Sequence, residues 1–235
     1  MRRNSICEQS KKVASHIFID GFGGMTQGLF ATLIIGTMIQ QIGLLIGGST
    51  GNVIYLLGKA AAALTSAGIG VGVAVKYGES PLVTVSAAVA AMVGGYAGKI
   101  TGGTFFVDGN AVLAGPGEPL GAFIAAFAGI TCGHLVSGKT KVDIIVTPVI
   151  TIGAGSVVGL LVGPPISQMM TGLGSIINWA TEQRPFIMGI VVSVVMGMVL
   201  TLPISSAALG IILNLSGLAA GAATIGCCCN MVDSR

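Results

Sequence analysis

Long apolar runs, separated by short polar or Pro/Gly-rich breaks, fill most of the chain. A helix that crosses a bilayer needs about 20 consecutive apolar residues, and these runs approach that length. The ten-residue alternating segments of an outer-membrane barrel are not seen. The pattern therefore predicts an all-α, polytopic transmembrane helix bundle with about seven or eight spans, built as one integral membrane domain over residues 1–235. The predicted spans are 22–47, 52–75, 81–98, 120–136, 142–162, 185–202 and 204–229. The span 142–162 is expected to break near Pro148 and to end at Gly163-Pro164-Pro165.

The amino-terminal segment differs from these runs. Residues 1–20 mix apolar and polar positions, and Arg2, Arg3, Lys11 and Lys12 precede the first run. Positive charge beside a first span favours the cytoplasmic side of the membrane. We therefore expect a cytoplasmic amphipathic segment at residues 1–20.

The apolar pattern is interrupted once at length, over residues 99–118. Polar residues and glycines replace the apolar run there, and the sequence Gly-Pro-Gly-Glu-Pro follows at 115–119. Irregular backbone at membrane depth is tolerated only where it is buried in protein or lines a wet cavity. The interruption predicts a re-entrant segment near 99–118 that borders a ligand site.

Composition agrees with a membrane location. Charged residues make up 8% of the chain and the mean hydropathy is +0.93, whereas a soluble domain carries about 25% charged residues. The net charge of +3 is too small to indicate nucleic-acid binding. Many of the 38 glycines are spaced four apart. Such stripes allow helices to approach closely and permit a homodimer.

Glu118 is the strongest candidate for chemistry. It lies between Pro116 and Pro119, at the start of a predicted span, and proline suits the first helical position. A carboxylate there meets the positive end of the helix. Held by stiff backbone, it would accept hydrogen bonds from the hydroxyls of a polyol ligand. The alternative is a solvated glutamate at a helix start.

Three weaker candidates for substrate binding accompany Glu118. Asp108 and Asn110 would add polar contacts in the same segment, or would simply form an Asp-Gly turn. His134 is a lone histidine near a helix end, where an interfacial histidine is the alternative. We predict no catalytic residue, metal or other cofactor. The consecutive cysteines 227–229 would point about 100° apart on a helix and cannot share one metal.

Residues 133–140 match the phosphate-loop pattern G-x-x-x-x-G-K-[ST]. That motif binds nucleotide when a strand leads into it and a helix follows. A predicted lipid-facing helix precedes it here. We therefore interpret the match as a span end with an interfacial lysine.

Three stretches together resemble a known family: Gly-Pro-Gly-Glu-Pro-Leu-Gly at 115–121, Ser-Gly-Lys-Thr-Lys-Val-Asp at 137–143, and Thr-Pro at 147–148. They are similar to the membrane (IIC) component of the bacterial phosphotransferase system, in the branch that includes perfringolysin O regulator-like proteins. The resemblance runs across nearly the whole chain. The first stretch also resembles the G-x-x-E-P motif of glucose-type IIC components, whose glutamate contacts sugar. The resemblance thus implies sugar binding by Glu118.

The resemblance also implies a setting and partners. The protein would be a multi-pass protein of the bacterial cell (inner or plasma) membrane that binds a sugar and exposes it to the cytoplasm. A separate IIB protein would phosphorylate the sugar, so IIA and IIB phosphocarriers and the lipid bilayer are the implied partners. Any enzymatic activity would be a protein-phosphohistidine or phosphocysteine–sugar phosphotransferase activity exerted with those subunits. Members of the branch continue beyond the point that matches Cys229, so the polar residues 230–235 lead us to expect a truncated product.

Two alternative functions stay open. One is a membrane-embedded regulator or sensor, related to perfringolysin O regulator, that uses the same pocket to report a ligand. The other is a secondary transporter that moves its substrate without phosphoryl transfer.

Overall fold

The computed structural model describes residues 20–107, 110–111, 113, 115–139, 142–200 and 217–233. It divides into two units, residues 1–164 and 165–235, which we describe separately. The described residues are mostly helical, which confirms the predicted class. Their only β structure is an antiparallel hairpin of two two-residue strands.

The first unit contains most of the elements. They are α1 (Phe22–Leu29), a π-helical stretch (Phe30–Ile34), α2 (Ile35–Ile46), α3 (Gly48–Ala63), α4 (Thr65–Lys76), α5 (Pro81–Gly95), α6 (Ala97–Thr101), β1 (Phe106–Val107), β2 (Asn110–Ala111) and α7 (Pro119–Val136). Helix α8 (Asp143–Gln183) begins in this unit and ends in the second. The second unit also contains α9 (Pro185–Leu200) and α10 (Gly217–Asp233).

Local sequence explains several helix ends. Gly47, with φ of +64°, separates α2 from α3 in a backbone conformation that favours glycine. At the start of α5, the Ser80 hydroxyl accepts a hydrogen bond from the Val83 N–H at 3.4 Å, and Pro81 occupies the first helical position. Both features are typical of helix starts.

The described residues contain fewer candidate spans than the sequence predicts for the chain. Three stretches are long and apolar enough to cross a membrane, Phe22–Ile46, Pro119–Val136 and Asp143–Met169, and the pair α3–α4 would make a fourth although it is bent by 51°. The prediction of about seven or eight spans is therefore not confirmed for the described residues. Helix α5 has 15 residues and is too short. The predicted span at 204–229 lies partly outside the described residues.

Helix α8 differs from the prediction at two points, a break and an end. The sequence indicates a break near Pro148 and an end at Gly163-Pro164-Pro165, but helix is continuous over Asp143–Gln183. Both expectations are wrong. A proline removes one hydrogen bond, and membrane helices tolerate this where neighbours or side-chain hydroxyls satisfy the freed carbonyl. The predicted amphipathic segment at 1–20 lies outside the described residues, apart from residue 20.

Glycines bring helix backbones into direct contact in the first unit. A Cβ atom built on Gly28 of α1 would lie 2.3 Å from the Gly68 carbonyl oxygen of α4. A Cβ atom on Gly94 of α5 would lie 2.6 Å from the Gly121 carbonyl oxygen of α7. Any larger residue would push these helices apart, so the glycine-rich composition produces close helix crossings.

The core of the first unit is small-residue packing around α4, α5 and α7. Its fully buried side chains include Ile69, Val73, Val83, Ala87 and Ala126. In the second unit, α9 and α10 pack together, with Val192 and Ala223 buried against Ile177. A Cβ atom on Gly226 would lie 2.0 Å from the Ser193 carbonyl oxygen, so glycine sets this second crossing too.

Candidate functional site

The loop at residues 115–118, just before α7, lies against two breaks between helices. The first break is at Leu64, between α3 and α4, where φ is −83° and ψ is 8°. The second is at Tyr96, between α5 and α6, where φ is −102° and ψ is 7°. Three irregular stretches of backbone therefore meet in the interior of the first unit. Broken helices that meet at one place are typical of substrate sites in transporters.

The second break frees a carbonyl group for the loop. In a regular helix the Lys99 N–H would bond to the Gly95 carbonyl oxygen. Here that N–H donates to the Tyr96 carbonyl oxygen at 2.9 Å, and the Gly95 oxygen accepts from the Glu118 N–H at 2.7 Å. The break thus provides the acceptor that fixes the backbone of Glu118.

Tyr96 connects the loop to both breaks. Its side chain is 1% exposed, and its hydroxyl is within hydrogen-bond distance of the Gly115 carbonyl oxygen and, at 3.1 Å, of the Ala63 carbonyl oxygen at the end of α3. Its ring lies 5.5 Å from the ring of Phe105, centroid to centroid, and the Lys99 ammonium lies 5.3 Å from its centroid. Both neighbours hold the ring in place.

Ser66 holds the next peptide of the loop. Its fully buried hydroxyl donates to the Pro116 carbonyl oxygen at 3.0 Å. The loop fits there because Gly117 has φ of +75°, and a Cβ atom at this position would lie 2.5 Å from the Ser66 hydroxyl oxygen. Glycine is required at position 117 for both reasons.

Glu118 ends the loop and precedes α7. Pro119 is buried at the first position of the helix, as the sequence predicts. The Oε1 atom of Glu118 is buried and has no hydrogen-bond partner among the residues that the structure describes. Such atoms are uncommon in folded proteins, so this acceptor marks Glu118 as a candidate ligand-binding residue.

Burial changes the acidity of this carboxyl group, which lies one residue before the span Pro119–Val136. Desolvation raises the pKa of Glu118 from 4.5 to about 7. The Leu120 N–H lowers this pKa in part, although the Glu118 side chain does not form a regular capping hydrogen bond. The group therefore exchanges between acid and carboxylate near neutral pH. In the acid form it both donates and accepts hydrogen bonds, which suits a ligand rich in hydroxyl groups.

The other predicted site residues, Asp108, Asn110 and His134, stay predictions. Asp108 is outside the described residues, and the backbone of Asn110 pairs with Val107 in the hairpin. The His134 side chain is 72% exposed, and its Nδ1 atom lies 2.9 Å from Oε1 of Glu79. It lies 16 residues along α7 from Glu118, about 24 Å at 1.5 Å per residue.

The phosphate-loop match has the wrong context, as expected. Its first residues form the end of helix α7, whereas the motif requires a preceding strand. The Gly138 N–H donates to Oδ1 of Asp143 at 3.0 Å. That donor is therefore used within the chain. Among the described residues, no group of three or more His, Cys, Asp or Glu side chains would hold a metal ion.

Ser66 and Tyr96 are residues of the candidate site that the sequence analysis did not predict. A signal was present, because each is a polar side chain within a predicted apolar span, where polar groups are costly and often functional. Tyr96 also stands within Gly-Gly-Tyr-Ala-Gly at 94–98. The identity of their partners is not visible in the sequence, since both bond to the distant loop 115–118.

Comparison with known proteins gives one result. The family model described as "Phosphotransferase system, EIIC" matches residues 19–234, which is most of the chain. No curated protein and no solved structure matches the chain significantly. The family and the long apolar helices agree that this is a membrane component of a phosphotransferase system. The chain therefore belongs to the phosphotransferase system EIIC family.

Proposed function

We propose that the protein binds a sugar at Glu118 and translocates it across the bacterial cell membrane for phosphorylation by a separate IIB protein. The observation that carries this proposal is the buried Oε1 atom of Glu118, which has no partner in the described part of the chain and lies at a loop where two helix breaks meet. A family of phosphotransferase membrane components is the setting in which such a site would receive a sugar.

The chemistry of the site supports a polyhydroxyl ligand. An unmade hydrogen bond to a buried carboxyl group is costly, and a sugar hydroxyl would satisfy it. Loop 115–118 ends at the first turn of α7, and the free N–H groups of a helix start favour oxygen atoms. Because this backbone is fixed by Ser66, Tyr96 and Gly95, the carboxyl group is held in place before the ligand arrives.

The proposed reaction needs partner proteins. A IIA protein passes a phosphoryl group to IIB, and IIB presents it to the bound sugar. The bond between phosphorus and the IIB side chain breaks, a bond forms to a sugar oxygen, and the hydroxyl proton leaves with the IIB group. The charged sugar phosphate cannot recross the apolar bilayer, so phosphorylation makes uptake irreversible.

Vesicle uptake tests this proposal. The full chain would be reconstituted in lipid vesicles that enclose IIA and IIB phosphocarriers, phosphoenolpyruvate and the proteins that transfer its phosphoryl group to IIA, and a panel of radiolabelled sugars would be supplied outside. We expect one sugar to accumulate as its phosphate only when the phosphocarriers are present. Glu118→Gln should abolish this accumulation, whereas the matched control Glu79→Gln should retain it.

The same assay separates the alternatives. Accumulation of unmodified sugar under an ion gradient, without phosphoenolpyruvate, would support a secondary transporter. Binding without any uptake would support a regulator or sensor. The variant His134→Ala tests whether His134 contacts the sugar. If the sugar lies at the Glu118 end of α7, this variant should keep wild-type accumulation.

A further inference from the structure

We infer that Tyr96 and Ser66 are positioning residues, which hold the loop 115–118 so that the Glu118 carboxyl group stays buried and directed at the ligand. This inference rests on the proposed function for its biological meaning. Neither residue belongs to the loop, and each donates its hydroxyl proton to a loop carbonyl. Together with the Glu118 N–H they form what we call the loop brace.

The loop brace acts on nearly every peptide of the loop. Tyr96 bonds to the Gly115 carbonyl, Ser66 bonds to the Pro116 carbonyl, and the Glu118 N–H bonds to Gly95. Three hydrogen bonds within four residues leave the loop little freedom. The buried Pro119 then fixes the direction in which α7 leaves.

The two side chains differ from a ligand-binding group in one respect. Each hydroxyl has one proton, and in each case a backbone carbonyl accepts it. Both side chains are also 1% exposed or less. They are therefore committed to the loop and act on a ligand only through Glu118.

Tyr96 also connects the loop to the bend between α3 and α4. Its hydroxyl lies within hydrogen-bond distance of both the Gly115 and Ala63 carbonyl oxygens, and one proton cannot fully satisfy two acceptors. A change of the 51° bend that moved Ala63 would thus alter the bond to the loop. We therefore expect the position of Glu118 to depend on the angle between α3 and α4.

Carbodiimide labelling tests the loop brace without a sugar. Dicyclohexylcarbodiimide adds to protonated carboxyl groups in apolar surroundings and leaves an N-acylurea on the side chain. The rate of labelling at Glu118 would be followed by peptide mass spectrometry across pH 5 to 9 on the full-length protein in detergent. In the wild type, the rate should fall to half its maximum near neutral pH.

Removing either hydroxyl should expose the carboxyl group to water. We expect Tyr96→Phe and Ser66→Ala each to move the midpoint toward acid by about one pH unit, because desolvation is what raises the pKa of Glu118. The double variant should shift by less than the sum, since both hydroxyls hold one loop. Tyr55→Phe, which removes a hydroxyl from α3 away from the break, should leave the midpoint unchanged.

Unchanged midpoints in both single variants would overturn the inference. If Tyr96→Phe fails to give a cooperative melt, Ser66→Ala alone decides, since it removes a single atom. The outcome is independent of the sugar assay. If the midpoints shift in Tyr96→Phe and Ser66→Ala but no sugar binds to the wild type, the loop brace is supported and the proposed function is rejected. If Glu118→Gln abolishes sugar binding but the midpoints of the two hydroxyl variants do not shift, the proposed function is supported and the loop brace is rejected.

Discussion

Glu118 is the residue on which the proposed chemistry depends, and its burial has a consequence for stability. Its pKa is about 7 in the folded protein and 4.5 in the reference state. Between these values the unfolded chain releases a proton that the folded chain keeps. Because the folded state then binds more protons, its stability falls as pH rises through this window and is constant above it.

The first prediction concerns this pH dependence. The apparent melting temperature of the wild type in detergent should decrease between pH 5 and pH 7.5, and Glu118→Gln should flatten the curve because it removes the titrating group. Differential scanning fluorimetry across that range measures both. The control Glu79→Gln should keep the wild-type slope. Parallel curves for the wild type and Glu118→Gln would show that Glu118 titrates normally in the fold.

Sugar binding by Glu118 stays a prediction, whereas the residues that support its loop were not predicted from the sequence. Glu118 could be predicted because a charge between two prolines at a helix start is a local pattern. Ser66 and Tyr96 bond to carbonyls 50 and 19 positions away. Bonds of that range depend on how helices pack, and no periodicity in the sequence encodes them.

At the scale of elements, glycine contacts set how closely the helices approach. Helix α8 contains a matched pair for testing this. A Cβ atom on Gly155 would lie 2.6 Å from the Ala90 Cβ and 2.7 Å from the Ala125 carbonyl oxygen, whereas a Cβ atom on Gly153 would meet nothing within 4 Å. The two positions share a helix and a backbone conformation and differ in their surroundings.

The second prediction uses this pair. Gly155→Ala should destabilise the protein by about 1–3 kcal/mol, because the added methyl group forces α5 and α7 away from α8. Gly153→Ala should be neutral or stabilising by up to about 1 kcal/mol, since alanine favours helix. Thermal melts of the two variants in the same detergent measure the difference. Equal melting temperatures would mean that these helices are not in close contact.

Element boundaries were predicted well where local signals mark them. The predicted span 120–136 corresponds to α7, which starts at Pro119, and the predicted span 22–47 corresponds to Phe22–Ile46. The break at Leu64 was missed because it lies in Ala-Ala-Ala-Leu-Thr, which contains neither proline nor glycine. There, contacts with the rest of the unit override a sequence that favours continuous helix.

At the scale of the whole molecule, the number of candidate spans among the described residues depends on the bent pair α3–α4. Together these helices run from Gly48 to Lys76, which at about 1.5 Å per residue is longer than the 30 Å apolar layer. The predicted count is not confirmed among the described residues, because a run of apolar residues does not reveal whether its helix bends, breaks or stops short. Helix α5, with 15 residues, is the clearest case.

The third prediction settles the role of the bent pair. Ser49 and Lys76, near its two ends, are both exposed, and each would be replaced by cysteine in a background from which the five native cysteines are removed. We expect a membrane-impermeant maleimide to label the two positions from opposite sides of the membrane, because the pair is long enough to span. Labelling of both from one side would make α3–α4 a re-entrant element and leave three spans in the described residues.

The central claim, that a sugar contacts Glu118, is tested most directly by a thermal-shift screen of the purified full-length protein against a panel of sugars and polyols. A ligand that binds only the folded state raises the free energy of unfolding, by about 2.7 kcal/mol when its concentration is 100 times its dissociation constant. The apparent melting temperature rises as a result. We predict that one sugar raises the melting temperature of the wild type and of Glu79→Gln but not of Glu118→Gln. A sugar that shifts Glu118→Gln as much as the wild type would contradict the claim.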